Sequence, residues 1–397
     1  MSGSLAVTSP YDGAVLGEVP TADAGAIEQA LATAWGRFRD RDQWLPLPER
    51  VAVLQRAAAL MAERHGELAL QAAREGGKPL KDSEVEASRA IDGLHLAVET
   101  IRTEAGEVVP VDGTPAGAHR LAFTHREPIG VVVAVSAFNH PLNLIVHQVA
   151  AAVAAGCPVI VKPADDTPLS CRAFVEILHE AGLPPELCQF VLPADLALAE
   201  RLVTDPRVGF FSFIGSARVG WMLRSKLAPG CRCALEHGGA APLVLAADAD
   251  LERAVPTIAK GGFYHAGQVC VSVQRVFAER SVARRFAERL AAAATALEVG
   301  DPAAAATEVG PLIRAREVDR VAEWVAEAVA GGAEVLCGGE RLDHNCYAPT
   351  VLFEPPADAR VSREEIFGPV VCVYAYDTLD DALERANDLP WAFQAAV

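Results

Sequence analysis

The chain is short of positive charge. Its 35 lysines and arginines face 52 aspartates and glutamates, a formal net charge of −17, and so acidic a protein lacks the basic patch by which nucleic acids and anionic membranes are bound. Long apolar runs are missing too. The most apolar stretch, Val149 to Val161, is broken by Gly156 and Pro158 and is too short to span a bilayer. The opening MSGSLAVTSPYDGAV has no basic segment ahead of an apolar core, so no secretory signal is expected and the cytoplasm is the expected compartment. The nine cysteines include no C-x-x-C pair, which fits a reducing compartment. Cys231 and Cys233 are two apart in a strand-like stretch but no histidine cluster accompanies them, so they read as core and not as a metal site. No G-x-G-x-x-G turn occurs between Glu127 and Glu236, so a standard Rossmann turn cannot be claimed.

What is present is organised for an α/β fold. At about 150 residues per domain the length of 397 allows two or three domains. A Pro and Gly turn, Ser9 to Gly13, suggests a hairpin at the start. Apolar residues at three and four spacing predict helices over Ala24–Arg39, Pro48–Glu75 and Ser83–Thr103. Gly106 to Arg126 switches to alternation around a Gly-rich centre, a β-ribbon. From Glu127 to Glu236, strand and helix patterns alternate, which implies a doubly wound parallel sheet with a nucleotide site at its carboxyl edge. From about Gly238 a second alternating block follows, with helices near Leu251–Ala259, Ser281–Leu297 and Ala315–Ala330.

Three residues carry candidate chemistry. Cys270 lies in GGFYHAGQVCVSVQR, where the valines around it equally suit a small hydrophobe in a buried strand. Glu236 ends an apolar run in EHGGAAP, where a carboxylate is costly to bury without a role. Asn139 follows the apolar run Ile129–Ser136, at a strand's carboxyl end. A thiol, a carboxylate and an amide together suggest acyl chemistry: a nucleophile, a base for water and a donor to an oxyanion. FSFIGSARVG, LEHGGAAP, GQVC and EEIFGPV, in this order, resemble the aldehyde dehydrogenase superfamily along nearly the whole chain, and FNHPLNLIVHQ, EHGGAAP and FYHAGQVCVSVQR resemble its branch with lactaldehyde and phosphonoacetaldehyde dehydrogenases.

The resemblance implies an NAD(P)-dependent oxidation of a small, polar or anionic aldehyde. Cys270 attacks, Asn139 and the Cys270 backbone N–H hold the oxyanion, and Glu236 activates water. It implies cofactor contacts from Ser136, Phe138, Lys162, Asp165, Gly215, Ser216, Val219, Gly238, Glu365 and Phe367. A carboxylate at Asp165 would repel a 2′-phosphate, which favours NAD over NADP. Ser216 also reads as an ordinary N-cap and Asp165 as a solvated charge. No metal is expected. His140, His147, Arg120 and Arg126 are candidates to meet an anionic substrate. Gln148 and Ala240 stand where the family more often has lysine.

The implied architecture has two doubly wound parallel-sheet domains: a cofactor-binding domain from residues 1–105 and 127–237, and a catalytic domain from 238–397. A ribbon at 106–126 would serve a homodimer or homotetramer. The family continues beyond LPWAFQAAV with more catalytic domain and a tail strand, so the catalytic domain is expected to be incomplete here. A cofactor-independent cysteine hydrolase and a catalytically impaired binding protein are the rival readings.

Overall fold

The computed structural model describes residues 3–390 and 393–397. The start is an antiparallel hairpin, β1 (Ser4–Thr8) with β2 (Val15–Pro20). Four helices follow, α1 (Ala24–Arg39), α2 (Leu47–Glu63), α3 (His65–Gly76) and α4 (Leu80–Thr103). The single helix expected over Pro48–Glu75 is therefore two. The chain leaves helical geometry at Arg64, with φ −102° and ψ 15°, while the apolar spacing runs on across the break and conceals it. The ribbon between Gly106 and Arg126 pairs only two residues a side, β3 (Val108–Val109) with β4 (Ala122–Phe123). Its apolar side chains Val108, Leu121 and Phe123 are exposed.

Strict alternation then begins. The elements are β5 (Val131–Val135), α5 (Asn143–Ala155), β6 (Val159–Lys162), α6 (Pro168–Glu180), β7 (Cys188–Phe190), α7 (Leu196–Thr204), β8 (Val208–Ile214), α8 (Ala217–Arg224) and β9 (Arg232–Glu236). The strands form one parallel sheet in the order β7-β6-β5-β8-β9. Strand order reverses between β5 and β8, which opens a crevice at their carboxyl ends. Leu54, Ile145 and Phe174 pack one face of the sheet, and Ile27, Leu31 and Phe211 the other.

The second sheet comprises β10 (Ala241–Leu245), β11 (Val273–Glu279), β12 (Glu334–Cys337), β13 (Thr350–Phe353) and β14 (Val370–Tyr376), in the order β10-β11-β14-β13-β12. Helices α9 (Leu251–Phe263), α10 (Arg280–Thr295), α11 (Ala315–Ala330), α12 (Arg360–Arg363) and α13 (Leu379–Asn387) belong to this half. The sheet is not wholly parallel, as had been expected from the alternation: β12 runs antiparallel to β13. No helix joins those two strands, and a parallel return would need a longer crossover. Every residue of β14 is buried, as suits a strand inside a covered parallel block. Among the described residues no helix is long and apolar enough to cross a membrane.

Candidate active site

The chain reaches Cys270 through a strained turn. His265, Ala266 and Gly267 take φ of 51°, 53° and 68° in succession, a left-handed run that costs the non-glycine residues roughly 1–2 kcal/mol each. Gly267 has no choice: a Cβ there would lie 2.1 Å from the Gly368 carbonyl oxygen. Gln268, 1 % exposed, holds the turn. Its Nε2 donates to the His265 and Pro311 carbonyls at 3.3 and 3.1 Å, and its Oε1 accepts from the Ile313 amide at 2.9 Å. Cys270 follows in a turn ahead of β11 and is only half-buried. That removes the reading as a buried strand residue.

Loops entering three parallel neighbours of the second sheet therefore meet at their amino ends: Gly238 before β10, Cys270 before β11, and Glu365 and Phe367 before β14. A second buried amide, Gln274, fixes the last loop. Its Nε2 donates to the Val361 and Glu364 carbonyls at 3.0 and 2.6 Å, and its Oε1 accepts from the Ile366 amide at 2.8 Å. The first sheet supplies its opposite edge, with Ser136, Phe138 and Asn139 after β5, Lys162 and Asp165 after β6, Gly215 and Ser216 after β8, and Glu236 ending β9. Phe138 and Phe367 join the two edges, rings 5.8 Å apart at 84°. Phe367 keeps a left-handed φ of 46° to do so.

Burial, then the charges of Glu365 and Glu236, push the Cys270 thiol above its ordinary value. One carboxylate ends a strand of the first sheet and the other precedes a strand of the second. Glu236 is exposed, so the argument from burial cost does not apply to it; its charge is solvated while acting on the thiol. Glu365 is half-buried. Desolvation pushes its carboxyl up to about 7, and its Oε1 atom is buried with no hydrogen-bond partner among the described residues. Asn139 is 4 % exposed. The closest part of the site to crowding is Gly238, where a Cβ would stand 1.8 Å from Glu365 Oε1.

The sequence profile of the aldehyde dehydrogenase family matches residues 1–397. The chain is 37 % identical over 394 residues to 3-sulfolactaldehyde dehydrogenase from Priestia aryabhattai, covering 99 % of this chain and 81 % of the relative. Among solved structures, aldehyde dehydrogenase 21 from Physcomitrella patens, in complex with the reaction product succinate, superposes with a TM-score of 0.94 at 34 % identity, covering 99 % of this chain and 81 % of that one. Glyceraldehyde-3-phosphate dehydrogenase from Methanocaldococcus jannaschii, complexed with NADP, gives 0.93 at 32 % identity, covering 98 % and 84 %. The chain belongs to the aldehyde dehydrogenase family. It is thereby an NAD(P)-dependent enzyme, and its residues can be tested for their fit to that cofactor.

They fit, for a reason visible in the helix amino ends. Of the four helices that follow β5 to β8, three have their first-turn amides satisfied by carboxylates. Glu86 accepts from Leu142 and Asn143 at α5, both at 2.9 Å. Glu75 accepts from Leu169 and Ser170 at α6, at 2.9 and 2.7 Å, and Asp195 caps α7. Only α8 is left open: its N-cap Ser216 makes no capping bond and is exposed. An open helix amino end with a spare hydroxyl suits a pyrophosphate. Val219, half-buried, lies on the same helix, and the orphaned Glu365 oxygen over Gly238 offers an acceptor to a sugar hydroxyl. Lys162 Nζ bonds Asp165 Oδ1 at 2.7 Å, with Asp165 half exposed.

The residues proposed to meet an anion divide differently. Arg126 pairs with Glu104 at 2.6 Å in the ribbon region, where the exposed Arg120 also lies. His140 is taken up by Lys78, at 3.0 Å. His147 is exposed on α5, its imidazole lowered by burial and then by the charge of Arg89. Arg89 was missed by the sequence reading. It is exposed on α4 and makes no ion pair among the described residues, yet its charge is felt at His140, His147 and Tyr264. Gln148 donates to the Val135 and Ser212 carbonyls at 3.2 and 3.1 Å, tying β5 to β8. A cavity of about 650 Å³ beside Asp165 and Asp166 is walled by the first hairpin, Arg314, His344 and Asn345, and includes none of Cys270, Glu236 or Asn139.

Glu365 makes stability depend on pH in the cofactor-free protein. Its carboxyl sits at about 7 when folded against an ordinary 4.5, so the proton is held more tightly in the folded chain. The stabilisation is full below the unfolded value and is lost as pH rises through the folded one. Glu365→Gln removes that titration. The melting temperature of the parent relative to this variant should fall between about pH 5 and about pH 8; a constant difference would show that Glu365 ionises normally.

Proposed function

We propose that the protein oxidises a small anionic aldehyde to its carboxylic acid through a thioester on Cys270. Cys270 Sγ loses its proton to solvent and bonds the aldehyde carbon. The carbonyl oxygen becomes an oxyanion, held by the Asn139 amide and the Cys270 backbone N–H. Ser136, Phe138, Gly215, Ser216, Val219, Gly238, Glu365 and Phe367 would hold NAD(P), which when bound would supply the hydride acceptor that turns this adduct into a thioester. Glu236 then takes a proton from water, whose oxygen displaces Sγ and releases the acid. The observation that carries this reading is that one half-buried thiol feels both Glu236 and Glu365, carboxylates from two different sheets.

Lys162 and Asp165 are the proposed holders of the adenosine ribose. The half-exposed Asp165 carboxylate favours NAD, while the ribbon's exposed Val108, Leu121 and Phe123 favour a role in oligomerisation. The substrate class draws on Arg89 and on the relatives' names: sulfolactaldehyde, glyceraldehyde 3-phosphate and succinate all carry an anionic group besides the reacting carbon.

Cys270→Ala should abolish aldehyde oxidation and keep NAD binding. Glu236→Gln should retain a single burst of NADH while steady turnover is lost, because acid release and not hydride transfer is slowed. Rapid mixing decides: burst and steady rate falling together would give the glutamate another task. NAD should be preferred to NADP at least about tenfold, the equivalent of about 1.4 kcal/mol, and Asp165→Ser should narrow the ratio of the two kcat/KM values. Arg89→Gln should raise KM about tenfold for an anionic aldehyde and leave a neutral one of equal size unchanged, a loss of about 1.4 kcal/mol. Equal changes for both substrates would remove Arg89 from the recognition of charge.

A further inference from the structure

A buried polar cluster lies beside the reacting groups, and the chemistry above gives it no task. Lys78, in the turn between α3 and α4, and Glu86 on α4 form an ion pair with both side chains 1 % exposed. The other Glu86 oxygen accepts from the Leu142 and Asn143 amides, so the pair is fixed to the first turn of α5. Lys78 Nζ and His140 Nδ1 are hydrogen-bonded at 3.0 Å. His140 is the next residue after Asn139.

The His140 ring meets His265 edge-on, centroids 6.2 Å apart and planes at 65°. His265 belongs to the strained turn ahead of Cys270. It is fully buried, its ring nitrogens make no hydrogen bond of ordinary geometry among the described residues, and the Asn139 backbone is close enough to favour its protonated form. Burial, then the Lys78 charge, holds both imidazoles well below their usual range. A buried ring without a well-formed hydrogen bond, on a backbone at φ 51°, is costly on two counts and persists only where its surroundings over-determine it.

We propose that the contact between His140 and His265 is a latch that sets the spacing between the Asn139 amide and the Cys270 thiol, with the Glu86–Lys78 pair as its fixed post. It rests on the roles of Asn139 and Cys270 proposed above. The two loops come from different sheets, after β5 and before β11, and nothing in either sheet's own hydrogen bonding fixes one relative to the other. His140 takes its position from Lys78, and His265 passes that position to the turn that presents the thiol. Both histidines are positioning residues. A displacement of about 1 Å between a nucleophile and its oxyanion donor costs on the order of a hundredfold in rate.

The test uses the 397-residue chain and five variants. His265→Asn suits the left-handed backbone, which asparagine tolerates, but is too short to reach His140. His140→Ala removes the other half. Each should lower kcat tenfold or more while KM for aldehyde and the affinity for NAD stay within twofold. Because both break one contact, the double variant should be no slower than the slower single one. His140→Phe, which keeps a ring against His265, should recover part of the rate lost in His140→Ala. Losses that multiply in the double variant, kcat within twofold of the parent in folded single variants, or no recovery with phenylalanine would each overturn the latch. Restoration of His265→Asn by added imidazole would overturn it too, by showing proton transfer. Asn139→Ala separates the two proposals. If it leaves kcat intact, the oxyanion role fails and the latch with it; if it lowers kcat while the histidine variants do not, only the latch fails.

Discussion

The hydrogen bonds of one carboxamide hold the site together. Gln268 fixes a turn whose backbone is unfavourable at His265 and Ala266, and it does so from a position with 1 % exposure. Buried in this way, its bonds to Pro311 and Ile313 cannot be exchanged for water, so breaking them leaves unpaired polar groups behind. No side chain fits at Gly267, because a Cβ there would collide with the Gly368 carbonyl. The thiol loop therefore runs close to the loop of Glu365 and Phe367, and Gln274 pins the second loop by its own hydrogen bonds. Two buried amides thus decide where the thiol and its neighbouring carboxylate stand.

The electrostatics follow from this placement. With Glu365 half-buried and Glu236 at the end of β9, desolvation and the charges of both acids raise the pKa of the thiol. A raised thiol resists oxidation and adventitious alkylation, since the thiolate is the reactive form. The same acids suit the proposed reaction: the exposed Glu236 has access to water, and Glu365 keeps a spare acceptor. Their difference arises from position alone, one at the open end of an edge strand and the other under Gly238.

Local pattern made much of this legible. The βα alternation gave the first sheet, because β5 and β6 are continuous apolar runs as covered parallel strands require, and four short motifs pointed to candidate site residues through family resemblance. Three things stayed hidden for physical reasons. The break at Arg64 leaves the apolar period intact, so nothing in the pattern marks it. The place of Cys270 in a turn was obscured by Val269, Val271 and Val273, whose alternation imitates a strand that begins only at Val273. Arg89 and the Lys78, Glu86, His140 and His265 cluster depend on contacts between segments far apart in the chain. A lysine in a GKP turn and two isolated histidines carry no local sign of sharing one buried volume.

The missing glycine fingerprint has an explanation in the same cluster. In a doubly wound sheet the amino end of the helix after the first strand is the natural seat for a phosphate. Here Glu86 already occupies it, and Glu75 occupies the next. A pyrophosphate at either helix would have to displace a buried carboxylate and meet its negative charge. Burial pushes the Glu75 carboxyl up to about 7, so this seat is filled even at some electrostatic cost. The glycines that let a backbone wrap a phosphate would have no purpose after β5. On the proposed reading the anion would go instead to α8, the helix whose N-cap makes no capping bond, beside the Gly215–Ser216 turn. Filling two phosphate seats with protein carboxylates would then move the cofactor away from α5 and α6.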